Sequence, residues 1–142
     1  MKAQQDSLGF LLADVSRLMR RAFKQRLEGS SLTLAQARAL VYVSRHEGVR
    51  QVELADLLEV QPITLARLLD QLAHTGLVER RPDPHDRRAY QVFLTPAAAA
   101  HLAAIEQVAT AIRMDALRDL NQQQTAMVFL ALQKMRDNLS VR

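Results

Sequence analysis

The sequence predicts a mainly α-helical fold with one small β-hairpin near its centre. Apolar residues recur at the helical period of about 3.6 residues along most of the chain. The β-branched and aromatic run Tyr90–Leu94 is the clearest strand signal, and a segment rich in proline and aspartate that favours a turn precedes it. We therefore expect a single β-hairpin set among helices.

Two short helices joined by a tight turn are predicted before the hairpin. The first is Gln51–Glu59, after which Val60 and Gln61 leave only a short link. Pro62 opens the second helix, because proline suits the first helical position. The side chains of this helix expected to face the core are Ile63, Leu65, Ala66, Leu68, Leu69 and Leu72. Its outer surface is expected to carry Gln61, Pro62, Thr64, Arg67 and Gln71. This pattern is typical of a helix-turn-helix, whose second helix enters the major groove of DNA.

The predicted hairpin is rich in arginine. Gly76 is expected to end the second helix, and the strands are predicted at Leu77–Arg81 and Tyr90–Leu94 around a turn at Pro82–Asp86. The arginines expected near its tip are Arg80, Arg81, Arg87 and Arg88. Because the minor groove of DNA has a negative potential, it attracts arginines on such a tip. A helix-turn-helix followed by this hairpin is a winged helix.

At this point the chain resembles a known family. The pattern DxRxxxxxLT is present as Asp86, Arg88, Leu94 and Thr95, together with the segments LADLLEV, TLARLLDQL and GLVERRPDPHDRR. These motifs are similar to those of the MarR family of bacterial transcription regulators, and of its SlyA-like members in particular. The resemblance is close over the central half of the chain and looser in the flanking helices.

The resemblance implies roles for individual residues. It implies that Asp86 and Arg88 pair with each other and stabilise the wing, and that Arg87 between them enters the minor groove. Together with the outer surface of the second helix, it predicts a DNA-binding set of Gln61, Pro62, Thr64, Arg67, Gln71, His85 and Arg87.

Each of these residues also has a simpler interpretation. The wing arginines are ordinary solvated charges in one alternative, since arginine is mostly exposed in any protein. Arg67 pairs with Asp70 in another, and Asp70 is expected to be structural rather than base-reading. Pro62 in its simplest role only starts a helix, and Thr64 only caps or bonds locally.

Composition narrows the class of protein. The formal net charge is +4 and 49% of the 142 residues are hydrophobic, which suits one domain with a phosphate-bearing partner. There is no cysteine, so disulfides and thiol-based sensing are excluded. Asp6 and Asp14 interrupt the first apolar stretch, and no run has the roughly 20 apolar residues of a membrane span. We expect a cytoplasmic bacterial protein, associated with the nucleoid when bound to DNA.

The chain carries no motif that predicts catalysis. The four histidines lie on separate predicted elements and none has a metal-ligand spacing such as HxxxH. Only four glycines are present, and no GxSxG or glycine-rich phosphate loop occurs. We therefore expect no enzyme, no cofactor and no metal site.

Helices outside the winged-helix core have more apolar surface than that core can cover. The core is predicted at about 33–95 within a single domain spanning 1–142, with dimerisation helices at about 7–28 and 97–140. The expected caps are Ser7, Thr33 and Asn121. An intersubunit bundle would use the surplus apolar surface, so we predict a homodimer on a palindromic operator. The alternative is a monomer whose terminal helices fold back on the core.

Regulation by a small molecule is predicted from the resemblance. In relatives, a small anionic aromatic compound commonly releases DNA by binding between the DNA-binding core and the dimer helices. The basic residues near that cleft are Arg17, Arg20 and Arg38, with Met19 and Tyr42 as apolar walls. The chain has no tryptophan and only 4% aromatic residues, which puts an aromatic floor in doubt.

The resulting functional prediction is a sequence-specific regulator of transcription that binds double-stranded DNA, most often as a repressor, and is released by an anionic or phenolic ligand. The alternative is a winged-helix module for protein interaction or structure that binds no specific DNA. Such a module would have no use for the arginines of the wing.

Overall fold

The structure is a computed structural model that describes residues 7–140. Asp6, which interrupts the first apolar stretch of the sequence, lies outside this range. The described residues form helices α1 (Leu8–Leu27), α2 (Leu34–Arg45), α3 (Gln51–Leu58), α4 (Pro62–His74), α5 (Ala98–Ala116) and α6 (Gln122–Ser140), with strands β1 (Val49–Arg50), β2 (Val78–Pro82) and β3 (Tyr90–Leu94). The predicted mainly α-helical winged fold is confirmed.

The chain divides into two compact units, Met1–Ala109 and Thr110–Arg142. The first unit contains the winged-helix core, and the boundary between the units falls within α5. None of the helices described between residues 7 and 140 combines the length and the apolar character that crossing a membrane requires. The expectation of a single domain stays a prediction.

Local sequence signals start the helices where they were expected. The hydroxyl of Ser7 accepts a hydrogen bond from the Phe10 N–H at 3.1 Å and caps α1. Thr33 and Gln36 form a reciprocal capping box at the start of α2. Asn121 and Gln124 do the same before α6. Each pair satisfies backbone N–H groups that have no partner within the helix.

The core of the first unit lies between α2, the helix-turn-helix and the sheet. Leu65, Leu69 and Leu72 of α4 are fully buried in it, against Leu40 and Leu54 of the two preceding helices. Burying a leucine side chain contributes roughly 1.5–3 kcal/mol, so this leucine stripe fixes the orientation of α4. The orientation leaves the opposite face of α4 in solvent.

The side chain of Ile63 does not lie where the sequence predicts. It was expected to face the core, but its side chain is 62% exposed. Counted along the helix, Ile63 lies about 160° from Leu65 and about 120° from Leu69 in azimuth, at 100° per residue. The buried leucines therefore lie on the other side of α4 from Ile63, which shares the exposed side with Arg67.

The sheet has three strands instead of the predicted two. β3 is central and pairs antiparallel with β1 on one side and β2 on the other. β1 was missed because it is only two residues long and has no alternating pattern of its own. Gly48 precedes it with a φ of +85°, and a Cβ there would come within 3.3 Å of the Phe93 ring. Glycine is therefore required where the chain enters the sheet.

The turn between α3 and α4 is short and tightly bonded. Glu59 has a left-handed conformation with φ 56° and ψ 44°, and the Val60 N–H donates to the Ala55 carbonyl at 3.1 Å. Gln61 and Pro62 follow at once, with proline at the start of α4. The predicted tight turn therefore connects α3 and α4 as a helix-turn-helix.

Candidate nucleic-acid interface

The exposed face of α4 is centred on Arg67. Because the buried leucines occupy one side of this helix, Arg67 lies on the solvent side with Ile63 and Thr64. Within residues 7–140 its guanidinium has no ion pair and no hydrogen bond. The alternative in which Arg67 pairs with Asp70 does not occur, because Asp70 bonds to Arg80. A guanidinium that makes no contact in the free protein keeps all five donors for a partner.

The two ends of α4 differ in what their exposed side chains contact. Gln61 and Pro62 at its start are exposed, and the Gln61 side chain makes no capping hydrogen bond. Near its other end, Gln71 accepts a hydrogen bond from the Gln36 side-chain amide at 3.2 Å. Of the predicted DNA-binding set, Gln71 is thus held by α2, whereas Gln61, Pro62, Thr64 and Arg67 remain available.

Two of the four wing arginines are held within the fold. Arg80 and Arg81 lie on β2 and not at the tip, since they pair in register with Val92 and Gln91 of β3. The Arg80 guanidinium bonds to the Asp70 carboxylate at 2.5 Å, so it joins the wing to α4. The structural role expected for Asp70 is therefore this bond.

Arg81 is held on the strand from two sides. Its Nε donates to the Glu79 carboxylate at 2.7 Å, and its guanidinium lies 3.9 Å from the centre of the Phe93 ring. The second contact is a cation–π interaction. The prediction that all four arginines lie near the tip is wrong for Arg80 and Arg81.

The wing tip presents His85, Arg87 and Arg88 to solvent. The Asp86 carboxylate accepts a hydrogen bond from the Arg88 backbone N–H at 3.0 Å. In the part of the chain that the structure describes, the side chains of Asp86 and Arg88 form no ion pair. Asp86 therefore shapes the turn through the backbone, and Arg87 projects from that turn without an ion pair among the described residues.

A residue that the sequence analysis did not single out secures the wing. Asp83 is only 7% exposed, and its carboxylate accepts from Arg50 Nε at 2.8 Å and from the His85 backbone N–H at 2.7 Å. Arg50 immediately precedes α3, so this ion pair joins the helix-turn-helix to the loop of the wing. The Asp83 N–H donates to the Ala89 carbonyl at 2.9 Å, which closes the same loop. The Pro82-Asp83-Pro84 sequence indicated a turn, but Arg50, the partner of Asp83, is 33 residues away.

These contacts set the titration of Asp83. The hydrogen bond from the His85 N–H and the bond and charge of Arg50 lower its pKa below the ordinary value of 3.8, although burial raises it. Because the pKa is lower in the folded state, Asp83 contributes stability that is fully present above its unfolded pKa. That stability is lost as the pH falls through the folded pKa.

We expect Asp83→Asn to lower the melting temperature by a constant amount above about pH 5, because the pair with Arg50 is then lost. The difference from the wild-type protein should shrink as the pH falls below 3.8, where wild-type Asp83 becomes protonated as well. Calorimetric melting from about pH 2.5 to about pH 6 measures this difference. A difference that stays the same at every pH would contradict the lowered pKa.

A cavity of about 400 Å³ lies beside α1 and α2 in the first unit. Its apolar walls include Met19, Phe23 and Tyr42, and its basic groups are Arg20 and Arg38. Arg38 lies over the Tyr42 ring at 5.9 Å. Arg17 does not line the cavity and forms an exposed ion pair with Asp14 at 3.4 Å. Of the three predicted ligand-binding arginines, the structure thus brings two together.

Two short helices joined by a tight turn and followed by an arginine-bearing hairpin define a winged helix-turn-helix protein. A family model described as the MarR family matches residues 32–90. The chain is 36% identical over 93 residues to the multiple antibiotic resistance protein MarR of Escherichia coli (strain K12), a match covering 66% of this chain and 65% of that protein. The resemblance to the MarR family that the motifs predicted is therefore confirmed.

Solved structures agree over nearly the whole chain. Wild-type MarR from E. coli, in its apo form, superposes with a TM-score of 0.80 at 28% identity, covering 93% of this chain and 98% of that one. A cysteine-to-serine mutant of the same protein, in complex with operator DNA, superposes with a TM-score of 0.72 at 29% identity, covering 90% of this chain and 92% of that one. The fold described above is therefore shared with a protein that was crystallised on its operator.

Proposed function

We propose that this protein is a homodimeric transcriptional repressor that binds a palindromic operator in double-stranded DNA. The observation that carries the proposal is the Arg67 guanidinium, which is exposed at the centre of the outer face of α4 and has no ion pair or hydrogen bond among residues 7–140. Arg67 and Thr64 contact bases in the major groove, while Gln61 and Pro62 approach the backbone at the start of the helix. Arg87 and His85 on the wing contact the neighbouring minor groove and phosphates.

The homodimer is supported by apolar surface in each unit. In the first unit, α1 is 20 residues long and has Leu27 as its buried residue. It exposes Phe10, Leu11, Val15 and Leu18. In the second unit, α6 has no buried residue and exposes Met127, Phe129 and Leu130. Exposed apolar patches of this kind mark interaction sites, and a second copy of the chain covers them in the proposed dimer. Two-fold symmetry then places the half-sites about 10 base pairs apart.

The relative crystallised with operator DNA supports a DNA partner for this chain too. A repressor of this kind acts on the bacterial nucleoid, so we place the protein in the cytoplasm. DNA binding of this type requires no cofactor, and among residues 7–140 no three acidic or histidine side chains converge to hold a metal ion.

The test is a fluorescence titration of the protein with the intergenic DNA upstream of its own gene and with random duplex, at about 150 mM salt to weaken backbone attraction. The expected result is nanomolar binding to the upstream fragment only. Equal micromolar binding to both would contradict operator recognition and favour a winged-helix module for protein interaction or structure.

We also propose that a small aromatic acid binds the cavity beside α1 and α2 and weakens DNA binding. The cavity is within the usual size range for small-molecule sites, about 300–1,000 Å³. Arg38 and Arg20 bind the carboxylate, and Phe23 and Tyr42 provide the aromatic walls that the sequence left in doubt. To release DNA, such a ligand must bind the DNA-free state more tightly than the DNA-bound state.

Salicylate is the probe for this cavity. We expect calorimetry to detect its binding at millimolar concentration and Arg38→Gln to weaken that binding about tenfold, because hydrogen bonds to charged groups contribute roughly 1.5–3 kcal/mol. Arg17→Gln is the matched control, since Arg17 lies outside the cavity and should leave the affinity unchanged. No heat from salicylate at millimolar concentration, or equal losses in both variants, would contradict this site.

A further inference from the structure

Ile63 is an unusual residue for the outer face of α4. It is the second residue of the helix and is 62% exposed, whereas Leu65 two residues later is fully buried. Its β-branched side chain contributes nothing to the core and lowers helix propensity slightly. Because the side chain is exposed on the same face as Arg67, it is available for an apolar contact in a complex.

The neighbours of Ile63 indicate what that contact is. Arg67 lies one turn further along the same helix, and residues four apart on a helix are adjacent on its surface. The N-terminal residues of the second helix are the ones that reach base edges in a helix-turn-helix. In this chain two of those residues, Pro62 and Ile63, have no side-chain hydrogen-bond donor or acceptor.

The major groove offers one apolar group for such a side chain. Thymine presents a 5-methyl group there beside its hydrogen-bonding atoms, whereas cytosine has only a hydrogen at the equivalent C5 position. We propose that Ile63 recognises a thymine in each half-site by packing against that methyl group. The proposal rests on the proposed operator binding and adds a base preference to it.

The spacing of the two side chains predicts where the thymine lies. The Cβ atoms of residues i and i+4 are about 5–6 Å apart. Successive base pairs are about 3.4 Å apart along the duplex. The thymine contacted by Ile63 is therefore within two base pairs of the base contacted by Arg67.

Deoxyuridine provides the test, because it differs from thymidine only by lacking the methyl group. The wild-type protein is first used to select its operator from a randomised duplex pool. Each thymine of that operator is then replaced singly by deoxyuridine, and affinity is measured by fluorescence titration. We expect replacement of one thymine in each half-site to weaken binding about fourfold, which corresponds to roughly 0.8 kcal/mol per buried methyl-sized group. That thymine should lie within two base pairs of the position at which Arg67→Ala loses discrimination.

Ile63→Ala should abolish the response to deoxyuridine at that thymine and leave the response at every other thymine unchanged. Val52→Ala is the matched control, because Val52 is also β-branched and is 63% exposed, but belongs to α3. Both side chains are exposed, so neither variant should change the melting temperature appreciably.

The outcomes separate this proposal from the one on which it depends. Selection of no preferred sequence would overturn both operator recognition and the role of Ile63. Selection of an operator, with the same deoxyuridine response in Ile63→Ala as in the wild-type protein, would overturn only the role of Ile63. An operator with no methyl-sensitive thymine near the Arg67 position would do the same.

Discussion

Leu130→Glu is expected to convert the protein into a monomer and to weaken operator binding about 100-fold or more. Leu130 is 50% exposed on α6, a helix without any buried residue, so the proposed partner subunit is what covers it. A glutamate placed in that interface would be a buried, unpaired charge. With only one DNA-binding core per particle, the affinity gained by occupying two half-sites together is lost.

Sedimentation equilibrium at micromolar concentration measures the first effect, since the chain mass is 16.0 kDa and the dimer has twice that mass. Gln123→Glu is the matched control: it adds the same charge to an exposed polar position in the first turn of the same helix. It should remain dimeric and bind the operator normally. A wild-type particle of 16.0 kDa, or a Leu130→Glu variant that stays dimeric, would remove α6 from the interface.

Much of the fold could be predicted because its signals are local. Thr33 and Gln36 lie three residues apart and cap α2 by themselves, and Pro62 marks the start of α4 without help from the rest of the chain. Gly76 adopts a positive φ of 78° where the second helix was expected to end. Contacts within one helical turn depend little on the rest of the chain, so the sequence pattern predicts them and the structure agrees.

The missed features depend on partners that are distant in sequence. β1 is a strand only because β3 pairs with it across more than 40 residues of chain. Ile63 is a similar case on a helix. The spacing of residues gives its direction around the helix axis, but only packing decides which side of the helix is buried. In both cases the free energy comes from tertiary contacts, which local propensity does not contain.

The candidate site divides in the same way. The residue types of the site could be predicted from motifs, and Arg67 and Arg87 are exposed as expected. The contacts that hold the wing could not, because Arg50 bonds to Asp83 across 33 residues and Arg80 bonds to Asp70 across ten. Many pairings of these charges are consistent with one sequence, and the fold selects among them.

Arg67→Ala and Arg87→Ala are expected to weaken DNA binding in different ways. Arg67 projects from the face of α4 proposed to enter the major groove, where a bidentate arginine–guanine contact discriminates against other bases by about 1–3 kcal/mol. Its loss should reduce binding to the operator by that amount and leave binding to random duplex nearly unchanged. Arg87 projects from the wing tip, where contact with phosphates and the minor groove is independent of sequence. Its loss should weaken binding to both duplexes.

The salt dependence of binding separates the two arginines. Each phosphate contact adds about 0.9 to the slope of log affinity against log salt concentration, so Arg87→Ala should flatten the slope by about one for each wing. Arg67→Ala should flatten the salt slope less than Arg87→Ala does. It should lower the ratio of operator affinity to random-duplex affinity more. Arg81→Ala is the control, because Arg81 is already engaged by Glu79 and Phe93 and should change neither quantity greatly. Equal losses on both duplexes for Arg67→Ala would assign it to the DNA backbone, and sequence recognition would then have to come from Thr64, Ile63 and the shape of the DNA.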